Sequence, residues 1–231
     1  TGHILLVEGT TNSFADLAAS ENTAVSLGAS VVSNSYGGSE SSSTISLYGP
    51  DYNHAGVTIT ASTGDSGYSP TAQFPADLSS VAAIGGTSLT STSPRTESAW
   101  SGAGSGCSAF VAQPSWQSGI SNIRSVCSNR AYADVAAVAD PNTGVAVYDT
   151  YGASGWLVFG GTSVASPLVA SVFALAGNPS STGPSYPYAH TGSLNDVTSG
   201  SNGSCGTDLC NATTGWDGPT GLGSPNGTGA F

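Results

Sequence analysis

The first ninety residues alternate short apolar runs with segments of helical periodicity, and this alternation constrains the fold more than any other feature. The runs at residues 4–7, 30–35, 57–61 and 81–84 are too short for buried helices and are typical of strands. Between the first two, residues 14–27 predict a helix, with cap candidates before it and Gly28 after it. Strands that alternate with helices form parallel sheets covered on both faces. We therefore expect an α/β domain with a mostly parallel sheet.

The rest of the chain supplies fewer clear elements. A weaker helix is predicted over residues 42–54, broken near Pro50, and a hairpin over 145–149 and 157–159. Residues 66–75 and 102–130 are rich in turn formers and are predicted to be loops.

The helix predicted over residues 163–176 is apolar on all sides, which indicates that it is fully buried. The remainder of the chain is rich in turns. We expect residues 1–231 to form one domain, with an α/β core over residues 1–190 and a C-terminal region over residues 191–231.

Charged side chains are rare, and almost all are acidic. The chain carries 14 Asp and Glu against three bases, Arg95, Arg124 and Arg130, for a net charge of −11. No basic face is available for nucleic acid or anionic lipid, and no apolar run reaches the roughly 20 residues of a membrane-spanning helix. A surface with few ion pairs changes little when carboxylates protonate, so we expect tolerance of acid. The open alternative is that the low charge reflects only the usual amino-acid composition of proteins from the source organism.

Four cysteines form two local pairs without metal-site spacing. Of three connectivities, we favour Cys107 with Cys127 and Cys205 with Cys210. Disulfides persist in oxidising compartments, so a secreted, extracellular protein is expected. The sequence shows no signal peptide, which predicts a mature or trimmed product.

A candidate nucleophile lies where an apolar run meets the apolar helix, in Gly160-Gly161-Thr162-Ser163. Glycine at 161 lets a substrate approach the backbone closely. A helix N-terminus supplies unpaired N–H groups that suit an oxyanion formed during acyl transfer. The alternative is that Ser163 is an ordinary N-cap of a core helix.

Several segments, in the same order along the chain, resemble the sedolisin family of serine-carboxyl peptidases. They include Gly-Thr-Ser-x-x-x-Pro at 161–167, Ser-Asn-Ser-Tyr-Gly-Gly-Ser-Glu at 33–40 and Ser-Thr-Gly-Asp-Ser-Gly at 62–67. The others lie at 74–76, 81–87, 132–135, 139–144, 195–200 and 215–223. The resemblance implies a subtilisin-like fold and an acid-acting endopeptidase with protein or peptide substrates.

The resemblance also implies roles for individual residues. Ser163 matches the family's nucleophile and Asp65 its oxyanion-hole aspartate, where subtilisin-like enzymes place asparagine. A carboxyl group donates a hydrogen bond only while protonated, which ties such a site to low pH. Tyr36 and Gly37 match the segment that pairs with the substrate backbone. Without the resemblance, Asp65 is explained as well by turn chemistry, and a strand-ending turn would account for Tyr36 and Gly37.

The family's base is not found in the sequence. Sedolisin-like peptidases use a glutamate with an aspartate four residues later, on one helical face. None of Glu8, Glu21, Glu40 and Glu97 is followed by such an aspartate, and in the family the pair precedes the strand that matches residues 4–7. A cleaved enzyme with a bound companion fragment, a truncated form and a non-catalytic relative remain open. We favour the companion, because a sheet without its first strands exposes an apolar edge.

Histidines offer no substitute base. None of His3, His54 and His190 has the sequence context of a subtilisin-type triad, so we interpret them as surface or structural residues. An imidazole base is therefore not expected.

The C-terminal region resembles the family's Ca²⁺ site. The implied ligands are the carboxylates of Asp196 and Asp217 and the main-chain carbonyls of Val197, Thr213 and Gly215. Calcium favours six to eight oxygens and accepts carbonyls from tight loops. Thr213 stands where glycine is common in the family, so its backbone angle must suit a side chain. Two Asx-turns would explain both aspartates without an ion.

Overall fold

The structure, a computed structural model, describes residues 2–178, 181 and 183–231. The helices are α1 (Phe14–Ser26), α2 (Ser42–Tyr48), α3 (Ser115–Ser118), α4 (Ser121–Val126), α5 (Thr162–Ala176) and α6 (Ser185–Ala189), with 3₁₀ turns at Gly49–Tyr52, Pro141–Thr143 and Thr191–Ser193. The strands are β1 (Val31–Asn34), β2 (Gly38–Ser39), β3 (Thr58–Ser62), β4 (Tyr68–Thr71), β5 (Gln73–Phe74), β6 (Val81–Thr92), β7 (Arg95–Ala99), β8 (Ser105–Ala112), β9 (Asn129–Tyr132), β10 (Val135–Val138), β11 (Val145–Asp149), β12 (Gly155–Phe159), β13 (Leu194–Asn195) and β14 (Ser224–Pro225).

The central sheet has the order β1-β3-β6-β10, and each of these neighbours pairs in parallel. Strand β7 joins antiparallel to β6. The crossover from β1 to β3 passes through α2, as the alternating sequence pattern predicts. The expected mostly parallel α/β sheet is therefore confirmed.

Side chains of β6 show that helices cover both faces of the sheet. Ala82 and Ile84 share one core cluster with Val169 of α5. Their alternating neighbours on β6, Val81 and Ala83, belong to a second cluster that includes Ala18 of α1. Because successive strand residues point to opposite faces, α1 and α5 lie on opposite sides.

The C-terminal residues contribute to the α5 side of the core. Phe231 packs edge-on against Phe173 at a ring distance of 5.0 Å, and the indole N–H of Trp216 donates to Ala133 O at 2.8 Å. Both aromatic rings at 216 and 231 are almost completely buried. The region 191–231 thus shares the core of the preceding residues.

The predicted disulfides are confirmed. Cys107 is bonded to Cys127, and Cys205 to Cys210. In the described part of the chain, no helix combines the length and the hydropathy needed to cross a bilayer.

Two local predictions were wrong in the loops. Residues 66–75 contain β4 and β5, and residues 102–130 contain β8, α3, α4 and the start of β9. Turn-forming residues there separate short strands and helices. Pairing between residues distant in sequence stabilises these elements, as in the pairing of β8 with β9.

The strand predicted at residues 4–7 is also absent. This segment pairs with no strand of the described residues, and Ile4 and Leu6 are 98% and 79% exposed. Strand β1 is accordingly the edge of the sheet. An apolar run specifies a strand only where a neighbouring strand is present to pair with it.

Helix α5 is half buried, whereas full burial was predicted. Ala165, Val169 and Phe173 face the sheet, but Leu175 is 78% exposed. The sequence cannot separate these faces because both are apolar.

Candidate active site

Ser163 lies in the first turn of α5, directly after the β11–β12 hairpin. The helix is capped by Gly161, whose φ of 95° favours glycine, and not by Ser163. The N-cap interpretation of Ser163 is therefore wrong. Ser163 is exposed, and its hydroxyl has no hydrogen-bond partner among the described residues. The side chain is free to meet a ligand.

Asp65 lies against the turn that carries Ser163. Its Oδ1 accepts hydrogen bonds from Thr162 N at 2.7 Å and Thr162 Oγ1 at 2.8 Å. The same hydroxyl accepts from Gly64 N at 3.0 Å. A side chain at position 161 would begin 2.7 Å from Asp65 Oδ2. The lack of a side chain on Gly161 therefore lets the carboxyl group approach the helix N-terminus, where negative charge is favourable.

Buried hydroxyl groups fix α5 on the sheet beneath this turn. Ser166 Oγ lies 2.9 Å from Thr60 Oγ1 on β3 and 3.1 Å from Ser33 Oγ on β1. These contacts join three elements at a level one helical turn from Ser163. They fix the rotation of α5 about its own axis. Apolar packing alone would define this rotation less closely.

The segment after β1 also contacts the nucleophile turn. Ser35 Oγ donates to Ser163 O at 3.0 Å. Tyr36 turns its ring inward, and its hydroxyl lies 3.0 Å from that of Tyr52. Gly37 is exposed, and Gly38 begins β2, which pairs with β5. The residue that precedes the sequence-predicted Tyr36 and Gly37 thus contacts Ser163, and the Tyr36 phenol points away from solvent.

Buried acids support this segment and were missed by sequence reasoning. Glu21 of α1 accepts from Asn34 Nδ2 at 3.0 Å and is 2% exposed. Burial raises its pKa from 4.5 to about 7, although the Asn34 hydrogen bond opposes the change. Glu21 lies on the inner side of an amphipathic helix, a position that only the register of α1 reveals.

A second buried acid lies beyond β5. Asp77 is fully buried, and burial raises its pKa to about 7, with Glu40 as the next cause. Glu40 itself accepts from Ser108 Oγ at 2.6 Å. Both ends of the 34–40 segment therefore adjoin buried carboxyl groups.

Within the described residues, no acid or histidine is hydrogen-bonded to Ser163. His54 contacts Asp51 O at 2.8 Å, and His190 contacts Tyr186 O at 2.8 Å. Asp65 is thus the acid that the structure brings to the nucleophile turn.

The C-terminal loop brings Asp196 and Asp217 together. Asp196 accepts from Gly215 N at 3.0 Å, and Asp217 accepts from Thr213 N at 3.1 Å. Burial raises the pKa of Asp217 to about 7, and the charge of Asp196 adds to this effect. Among the described residues, no three His, Cys, Asp or Glu side chains gather as a metal site. A cation here would need main-chain oxygens as well.

The residues implied as main-chain ligands lie in the same loop, where the N–H groups of Thr213 and Gly215 contact the two carboxylates. Val197 is buried beside Asp196. No described non-glycine residue has positive φ, so threonine at 213 is compatible with the backbone there. A cavity of about 450 Å³ adjoins this loop, lined by Asn122, Asp196 and Gly215, rather than Ser163.

Comparison with known proteins places these features in a family. The chain matches the subtilase family over residues 5–191. It is 33% identical over 202 residues to sedolisin of Pseudomonas sp. (strain 101), covering 73% of this chain and 33% of that protein. It is 34% identical over 234 residues to kumamolisin of Bacillus sp. (strain MN-32), covering 86% and 41%. The chain thus spans less than half the length of these relatives.

A solved structure of Pseudomonas sedolisin, described as a serine-carboxyl proteinase complexed with two molecules of pseudo-iodotyrostatin, superposes with a TM-score of 0.79. The match has 29% identity and covers 95% of this chain and 69% of that one. Fold, motif order and family match agree. The chain belongs to the subtilase family of serine peptidases and, within it, to the sedolisin family.

Proposed function

We propose that this chain carries the nucleophile of a secreted endopeptidase that acts in acid. The observation that carries the proposal is the contact of Asp65 with Thr162, which places a carboxyl group beside Ser163 at a helix N-terminus. Ser163 Oγ attacks the peptide carbonyl carbon, and the resulting oxyanion meets Asp65 and the N–H groups of the first turn. The amine product leaves with a proton, and water then hydrolyses the acyl-enzyme.

The acid range follows from the role given to Asp65. Its Oδ1 already accepts two hydrogen bonds from Thr162. Oδ2 can donate to an oxyanion only when the carboxyl group is protonated. The raised pKa values of Glu21 and Asp77 also keep these buried groups neutral in acid.

A companion segment with a Glu-x-x-x-Asp pair supplies the base in this proposal. The free edge of β1, the exposed residues 4–7 and the outer face of α5 at Leu175 offer apolar surface to cover. Soluble proteins seldom leave a contiguous apolar edge open. The Glu/Asp pair takes the serine proton and returns it to the leaving amine.

Calcium stabilises the C-terminal loop in this proposal. Asp196 and Asp217 provide two carboxylates, and the carbonyls of Val197, Thr213 and Gly215 complete an oxygen-rich set. Asp217 is fully buried and has no cationic side chain paired with it among the described residues. A divalent cation would compensate its negative charge. Secretion is supported by the two disulfides.

The test is removal of the nucleophile in the form of the enzyme that contains the companion segment. We expect Ser163→Ala to abolish cleavage of a protein substrate at acid pH and to leave the circular dichroism spectrum unchanged. Ser171→Ala is the matched control, because Ser171 lies on the same helix and its hydroxyl donates only to Pro167 O. Cleavage by Ser163→Ala at the wild-type rate would refute the proposal.

A non-catalytic binding role is the second candidate. It is favoured by the lack of a base hydrogen-bonded to Ser163 in the described residues. Intact mass spectrometry of the protein from its source separates the two. A second peptide with a Glu-x-x-x-Asp stretch supports the peptidase, and a single chain of this length without activity supports the binding role.

A further inference from the structure

The buried acid Glu21 lies behind the segment that contacts Ser163. Its carboxylate Oε2 accepts from Asn34 Nδ2 at 3.0 Å, and Oε1 has no hydrogen-bond partner among the described residues. Glu21 and Asn34 are 2% and 5% exposed. The Asn34 amide also hydrogen-bonds an ionised carboxylate, but burial makes that ionised state costly, so ionisation of Glu21 favours an opened segment in which water reaches its carboxylate.

Asn34 is the last residue of β1, and the chain from it leads straight into the site. The next residue, Ser35, donates to Ser163 O at 3.0 Å. Tyr36 follows with its hydroxyl 3.0 Å from that of Tyr52, and Gly37 is exposed at the start of the proposed substrate edge. A displacement of Asn34 would therefore move both the nucleophile contact and the proposed substrate edge.

The groups around Glu21 offer it no positive charge. Tyr36 and Tyr52 face it, and Asp51 on the adjoining 3₁₀ turn acts on Tyr52. Burial raises the pKa of Tyr52 to about 12, so neither phenol ionises before Glu21 does. The ion pairs of the described residues use Arg95 and Arg130 with other acids.

We propose that Glu21 is a positioning residue that holds residues 34–38 against the nucleophile turn while its carboxyl group is neutral, and that releases them when it ionises. This inference rests on the proposed peptidase function for its catalytic meaning. The native pKa, about 7, lies above the ordinary 4.5. The stabilisation is therefore complete below about pH 4.5 and is lost as the pH rises to about 7.

The experiment measures backbone amide hydrogen exchange of residues 34–38 in this chain at pH 5 and pH 8, corrected to protection factors. In the wild type we expect protection to fall by up to about 10²-fold between the two pH values, because opening lets Glu21 ionise with its ordinary pKa. Glu21→Gln keeps a polar partner for Asn34 and cannot ionise, so its protection should stay level. Glu8→Gln is the control, because Glu8 is exposed.

Glu21→Ala should lose about tenfold in protection already at pH 5, and rescue by glutamine distinguishes positioning from mere space filling. Should the alanine variant fail to fold, the glutamine comparison alone decides. Equal pH dependence in the wild type and Glu21→Gln would overturn the proposal.

The catalytic consequence is measured separately in the enzyme with its companion segment. There, Glu21→Ala should raise KM more than it lowers kcat, because the substrate edge is displaced, and Glu21→Gln should restore KM at acid pH. An unchanged KM in Glu21→Ala would contradict the catalytic role. Because the exchange experiment needs no activity, failure of the peptidase proposal would be seen only in the Ser163→Ala test.

Discussion

Two aspartates of this molecule share one hydrogen-bond pattern and differ in burial. Asp65 Oδ1 accepts from the N–H and the hydroxyl of Thr162 at 2.7 and 2.8 Å. Asp217 Oδ1 accepts from the N–H and the hydroxyl of Thr220 at 2.9 and 2.8 Å. Asp65 is exposed, whereas Asp217 is fully buried and its pKa is raised to about 7. Burial therefore distinguishes the two carboxyl groups, because it raises the pKa of Asp217.

Solvent reaches the exposed member of the pair. Water solvates whichever oxygen of Asp65 the threonine does not hold. The buried member has no such solvent, and Asp196 adds a like charge beside it. The first arrangement suits chemistry at a cleft, and the second suits a structural ion.

The largest expected effect is on catalysis at Asp65. We expect Asp65→Ala to lower kcat by about 10²–10³, the usual loss for one oxyanion donor. Asp65→Asn should retain more activity and extend it to higher pH, because an amide donates without protonation. The measurement is a pH profile of peptide cleavage by the enzyme with its companion segment.

The control for this prediction is Asp51→Ala. The carboxyl group of Asp51 accepts a hydrogen bond from Asn22 on the other side of the sheet. An Asp65→Ala enzyme with undiminished kcat would show that the carboxyl group near Ser163 is only a helix-terminal residue.

The second effect is on stability at Asp217. A chelator should lower the free energy of unfolding by about 3 kcal/mol if calcium is present at about 100 times its dissociation constant. Asp217→Asn should be insensitive to the chelator, since a ligand is lost. Urea unfolding at constant pH provides the measurement.

Asp208→Asn serves as the matched control, because Asp208 belongs to the same C-terminal region but is not in the ligand set. A chelator effect that persists in Asp217→Asn would place the ion elsewhere or exclude it.

The sequence predicts the sheet and the contact between Asp65 and the helix for different reasons. The alternation of strands and helices is a local signal, and it gave α1, β1, β3 and α5 with small boundary errors. The site residues came from the resemblance to the sedolisin family, which implied Ser163, Asp65 and Tyr36. The structure brings Asp65 and Ser35 into contact with the nucleophile turn.

The missed features depend on partners that local sequence does not specify. Residues 4–7 have the composition of a strand, but no described strand pairs with them. Leu175 looks like a core residue, although it lies on the outer face of α5. Glu21 looks like a surface acid of a helix, and only packing of α1 on the sheet reveals its burial. In each case a contact distant in sequence determines the environment.

The smallest expected effect concerns the hydrogen bond that each of the two aspartates accepts from a threonine hydroxyl. Thr220→Val removes a hydroxyl that donates to a carboxylate with no access to solvent, so we expect a loss of about 1–3 kcal/mol in the free energy of unfolding. Thr162→Val removes the equivalent donor, but water can reach the exposed Asp65, so the loss at this carboxylate should stay below about 1 kcal/mol, and the Gly64 N–H that loses its acceptor adds a separate cost. Urea titrations of both variants, with calcium and with chelator, give the two values. Equal losses would mean that burial of the acceptor does not set the strength of this contact, and the contrast between the two aspartates would then have to come from Asp196 alone.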